Sequence, residues 1–169
     1  MDTKYPIGMF ACPEKIEDDH IFAWIAEIRA LPQQLKEAVR DIDDALLEKT
    51  YRENGWTIRE IVHHLADSHM NAYIRIRLAL TEQTPVIKPY DQDQWAKLPD
   101  SRLPIAVSLQ LLEGLHERWT YLLEHLTAEQ RKLLFYHPES GLIAVEKSIG
   151  MYAWHGKHHL AHIRQALQP

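Results

Sequence analysis

The chain has a single cysteine, Cys12, in 169 residues. That excludes an intrachain disulfide and any cysteine-rich zinc site, and marks Cys12 as a free thiol. Clustered basic charge is missing too: the 19 Lys and Arg residues form no block or stripe, and formal net charge is −5. A nucleic-acid footprint is therefore not expected. No apolar run reaches the length needed to span a bilayer, so no membrane partner is expected. The first residues, Met-Asp-Thr-Lys-Tyr-Pro, contain no apolar stretch of the kind that directs secretion. These absences together point to a cytoplasmic protein.

What is present is ordinary globular composition, 46% hydrophobic and 25% charged, enough for one domain over residues 1–169. The apolar pattern is helical almost throughout. Residues 18–42 repeat near a 3.6-residue period through Ile21, Ile25, Ile28, Leu31, Leu35 and Val39. Pro32 should kink that helix or divide it. A short helical turn follows at Asp43–Glu48, then Asn54-Gly55 marks a turn. Thr57 and Glu60 read as a capping box opening a helix from Ile58 to Leu80. Residues 81–104 hold four of the nine prolines and form a long crossover, with one short helix around Asp91–Lys97. Further helices fit Ile105–Leu126 and Val145–Leu167, with a second capping box at Thr127–Gln130 and a loop at Tyr136–Gly141. The expectation is an all-α four-helix bundle with a Pro-rich crossover between its second and third long helices.

Histidine is concentrated. Four of eleven fall at positions 155, 158, 159 and 162, and His63, His64 and His69 lie about ninety residues earlier. Imidazole is the commonest metal ligand. On the last helix, Ile149, Tyr152, Gly156, Leu160 and Ile163 define the core direction. His159 lies about 60° from it and His155 about 100°, whereas His162 and His158 lie about 120° and 160° away and look outward. His155 and His159 are thus a core-proximal i, i+4 pair able to share a metal. A chance pair on a solvated face has the same spacing. Gly156 on the core face suggests close approach of another helix or a ligand. On the earlier helix His69 points into the apolar face as a core histidine would, His64 sits at its edge and His63 looks outward. Periodicity does not choose among them. Asp67, one turn after His64, and Ser68 are candidates to orient an imidazole or a water, although spacing alone fits an ordinary solvated carboxylate at Asp67 better.

The run from Gly55 to Asn71, with His63-His64-Leu65-Ala66-Asp67-Ser68-His69 at its centre, resembles the YfiT-type branch of the DinB-like superfamily. Tyr5–Gly8, Pro89-Tyr90-Asp91, Phe135–Pro138 and Trp154–His162 resemble it as well. The resemblance covers about Tyr5 to Ile163. It implies a four-helix bundle with a metal held by three histidines, which by motif position are His64, His155 and His159. It also implies a homodimer carrying one divalent metal per subunit, Zn2+ or Ni2+. Tyr90, Asp91 and Trp95 match the family pattern and would line the pocket mouth or pack the crossover.

Three ligands without a fourth describe an open site of the catalytic kind. The resemblance implies a metal-dependent hydrolase acting on a small-molecule substrate through an activated water; Asp67 is a candidate catalytic carboxylate only by its spacing from His64. Relatives that transfer a low-molecular-weight thiol of the bacillithiol type to electrophiles offer an alternative chemistry. A non-enzymatic metal-binding stress protein is a third. Gly156 occupies the place of the general-base Glu in the HExxH motif of zinc proteases, which disfavours peptidase chemistry.

Overall fold

Thr57 and Glu60 do form a reciprocal cap: the Thr57 hydroxyl accepts from the Glu60 N–H at 3.1 Å, and the Glu60 carboxylate from the Thr57 N–H at 2.8 Å. They open α3 in a computed structural model that describes residues 3–168. In chain order the helices are α1 (Asp18–Ala38), α2 (Asp44–Leu47), α3 (Ile58–Thr81), α4 (Gln92–Trp95), α5 (Ala106–Glu124), α6 (Ala128–Arg131) and α7 (Val145–Ala166). Asp43, Asp91 and Thr127 cap α2, α4 and α6 through their side chains. Each satisfies amide donors that a helix start leaves without partners. A 3-10 turn, Pro99–Arg102, completes the crossover.

Long helices α1 and α3 each pack against both α5 and α7, so the order around the bundle is α1–α5–α3–α7. Non-consecutive α3 and α7 thereby become neighbours, and the two histidine-bearing helices face each other. Pro32 does not divide α1, which runs unbroken through it. Gly156 is explained by α1: a Cβ there would lie 2.6 Å from the Leu31 side chain.

The segment read as a loop at Tyr136–Gly141 is part of a β-hairpin. Strands β1 (Leu134–His137) and β2 (Gly141–Ala144) pair antiparallel, with Phe135 opposite Ile143. Both of these are buried, so the hairpin has one face on the core. Its outer edge is anchored to the crossover, where the Tyr136 amide donates to Pro85 O and the Ile87 amide to Tyr136 O. The expected expanse of loop is therefore partly pleated, because a four-residue strand shows too few alternations to be read from sequence.

The apolar core has two halves. One contains Ile21, Ile25, Ile28, Ala72, Ile76, Trp119, Leu123, Ile149 and Tyr152; the other contains Leu31, Leu35, Ile61, Leu65, Leu112, Leu160 and Ile163. On each long helix one half gives way to the other part-way along, and His69, His116, His155 and His159 fall in those gaps, with His64 just beside the one on α3.

Candidate metal centre

His64 from α3 and His155 and His159 from α7 each offer a ring nitrogen, all within 4.8 Å of one another. His64 Nε2 faces His155 Nε2 at 3.3 Å. Trp56, just before α3, lies over the group, 4.5 Å from the His64 ring and nearly coplanar with His159 at 6.1 Å. The three rings expected from the motif are thus brought together.

What orients them begins with a proline. Pro32 has no N–H, so the Ile28 carbonyl one turn earlier loses its helical donor. His116 of α5 fills that place, with Nδ1 2.6 Å from Ile28 O. A carbonyl can only accept, so His116 carries its proton on Nδ1 and leaves Nε2 bare. That nitrogen lies 2.9 Å from His69 Nδ1, which must therefore donate. His69 Nε2, bare in turn, lies 3.2 Å from His155 Nδ1 and accepts from it. For neutral rings the chain leaves one outcome: His155 presents a lone pair on Nε2, toward His64.

A second relay reaches His159. His162 Nε2 lies 3.1 Å from the Lys4 carbonyl and so donates to it. Its bare Nδ1 sits 3.4 Å from His159 Nδ1, which donates, leaving His159 Nε2 bare. Hydrogen-bonding the far nitrogen of an imidazole to fix its tautomer is the usual way proteins aim a ligand.

Burial keeps these rings neutral. It pushes His64 down to about 4, with nearby His158 adding to the effect. His69, His155 and His159 are held well below 6.5, first by burial and then by neighbouring imidazoles. Neutral imidazole is the form that binds metal. The donor set fits a borderline-soft divalent ion. Tetrahedral coordination with bonds of about 2.0–2.1 Å separates ligands by about 3.3–3.4 Å, matching the His64–His155 spacing.

Two expectations need correction. His158 and His162 do not look outward: they are 7% and 2% exposed. The N-terminal segment and the loop before α3 cover them, with Tyr5 near His158 and Tyr51 stacked on His162 at 3.8 Å. His158, His159 and His162 also have ring nitrogens within 4.8 Å of one another, although His162 is committed to Lys4 and His159. His63 is buried as well, bonded to Ser108 Oγ at 2.7 Å and to Leu103 O at 3.0 Å. Single-helix geometry does not reveal cover supplied by distant segments.

Asp67 is half-buried, with its carboxyl raised to about 6 by burial and then by Asp100, and has no hydrogen bond to an imidazole among the described residues. Ser68 instead lines a cavity together with Tyr90 and Tyr152. Tyr90 and Asp91 line a cavity beside His155, and Trp95 packs on Tyr90 at 4.4 Å. Cys12 is a free thiol, half-buried, outside the cluster. His116 escaped the sequence reading, yet its signal was there: it falls on the same face as Leu109, Leu112, Trp119 and Leu123, a polar ring in an apolar stripe.

Fold and site together define a four-helix-bundle protein whose facing helices bring together three histidines that could hold a metal. The chain belongs to the DinB superfamily, whose family model matches residues 27–163. A relative from Halalkalibacterium halodurans, provisionally named a metal-dependent hydrolase, is 54% identical over 99% of this chain and 98% of its own. YfiT from Bacillus subtilis, described as a probable metal-dependent hydrolase with an unusual four-helix-bundle topology, superposes with a TM-score of 0.95 at 46% identity. That match covers 98% of this chain and 96% of YfiT. The mycothiol-dependent maleylpyruvate isomerase shares the fold, with a TM-score of 0.68 at 15% identity over 85% of this chain and 60% of its own.

Proposed function

We propose that His64, His155 and His159 hold one divalent metal, Zn2+ in the first place and Ni2+ in the second, and that the protein hydrolyses a small-molecule substrate. The observation that carries this reading is the convergence of three neutral imidazoles, two of them fixed with bare Nε2 by relays that end on backbone carbonyls. Zinc in such a three-histidine site supplies Lewis acidity and lowers the pKa of a coordinated water to about 7. The protein's own part is to hold three lone pairs in place, to keep them unprotonated at neutral pH and to leave a side open. That side gives onto two cavities, of about 430 and 460 Å3, which share His155 in their walls. The names borne by the relatives agree with this reading.

The test is metal analysis followed by turnover. Protein stripped with chelator and reloaded should take up one equivalent of zinc. It should then cleave activated esters or amides without added thiol, and His64→Ala should abolish both properties. Turnover that requires a low-molecular-weight thiol would replace hydrolysis by thiol transfer. Metal binding without turnover across ester, amide and thiol-electrophile panels would make the protein a metal binder and not an enzyme.

A further inference from the structure

Three arginines that are exposed or only half-buried are matched to acids. Arg29 pairs with Glu124, Arg59 with Asp44 and Glu48, and Arg131 with Asp18, at 2.6–3.0 Å. Arg75 differs. It is 9% exposed and makes no ion pair with a carboxylate among the described residues. One of its nitrogens donates to the Lys88 carbonyl over a long 3.3 Å. Burying a cation without an anion costs several kcal/mol, and a guanidinium has five N–H donors in a planar fork.

The surroundings of Arg75 point to what would complete it. It lines the cavity of about 460 Å3 together with Ser68, Tyr90, Tyr152 and His155. His155 belongs to the candidate metal centre, so one cavity runs from the guanidinium to one of the three imidazoles. Ser68 is buried and lines the same cavity wall as both tyrosines. Burial raises Tyr90 to about 12, so that ring stays a neutral donor. One buried cation and a group of neutral hydroxyls suit a monoanion. The acids lining the same cavity, Asp91 and Glu139, are both exposed. Asp91 is also occupied in capping α4. A dianion such as a phosphate monoester would ask for more positive charge than one arginine supplies.

We propose that Arg75, helped by the hydroxyls of Tyr90 and Tyr152, binds a carboxylate on the substrate while the bond to be broken lies at the imidazole cluster. The substrate class is then a small carboxylic acid with a hydrolysable group at some distance from its carboxylate. This rests on the metal-site reading. Arg75 is a binding and specificity residue: its fork sets which end of the substrate faces the metal. Charge-assisted hydrogen bonds to a buried guanidinium give a preference for the charged ligand of about tenfold or more.

The experiment uses zinc-reloaded full-length protein and calorimetric titration with two ligand series. The first is the monohydroxamates of malonic, succinic and glutaric acids, whose hydroxamate grips zinc and whose free carboxylate reaches outward. The second is neutral alkyl hydroxamates of matched length. The expected result is that the best carboxylated member binds about tenfold or more tightly than its neutral partner. Arg75→Gln should bring the two to the same affinity, and Arg75→Lys should keep part of the difference. The comparison within the wild-type protein does not depend on the folding of either variant. Equal binding of the two series overturns the proposal and leaves Arg75 as a clamp on the crossover through Lys88, with the metal reading intact. Binding of neither series, with zinc shown to be absent from the protein, removes the metal reading and this proposal with it.

Discussion

His116 shows how one residue can carry both stability and chemistry. Its ring closes the gap that Pro32 leaves at Ile28 and passes a defined donor and acceptor pattern to His69 and His155. The same burial makes protonation costly. His64, His116 and His158 are each pushed down to about 4, chiefly by burial, from 6.5 in an exposed ring. Below about 6.5 the unfolded chain takes up protons that the native protein refuses until about 4. The contribution of these three rings to the stability of the metal-free protein should therefore be constant above pH 7, fall as pH drops through 6.5 and reach its floor below 4. Each such histidine contributes a slope of about 1.4 kcal/mol per pH unit inside that window. Urea midpoints of metal-free protein between pH 7.5 and 4.5 check this. A midpoint unchanged across that range would mean that the rings are hydrated in the native state.

At the scale of elements, α1 acts on α7 through α5 and α3. Pro32→Ala restores an N–H to α1 and should raise stability by up to about 3 kcal/mol, the usual penalty of an interior proline. The new amide also competes with His116 for Ile28 O, loosening the relay to His155. Zinc affinity, read by competition with a chromophoric chelator, should then fall by up to about tenfold although the fold is stronger. Equal or better affinity in the variant would disconnect the proline from the site. The long helices were legible in the sequence because their apolar residues recur at helical spacing and their capping residues stand where the turns begin. Strands β1 and β2 were not, because four residues give no clear alternation. The burial of His63, His158 and His162 was also hidden, since Leu103, Tyr51 and Lys4 supply their cover from far along the chain. Motif resemblance singled out His64, which the helical wheel alone did not separate from His69. Arg75 did carry a signal, since it stands one turn after Ala72 and one turn before Ala79 at the edge of the apolar face of α3.

For the whole molecule, the imidazole layer lies between two apolar halves, each drawn from all four long helices. Packing of this extent makes the fold independent of the metal. His155→Ala should abolish zinc binding yet leave the helical circular dichroism and a cooperative urea transition in place. Loss of cooperativity would make the site structural. The Lys4 carbonyl and His162 lie 158 positions apart in sequence, and that separation has a meaning in time. As the chain leaves the ribosome, Lys4 emerges well before α7. A nascent chain can coil α3 and display His64 while both its partner rings and the ring that steadies His159 are still unmade. The three-ring cluster therefore assembles only after α7 has been made, however early α3 has coiled.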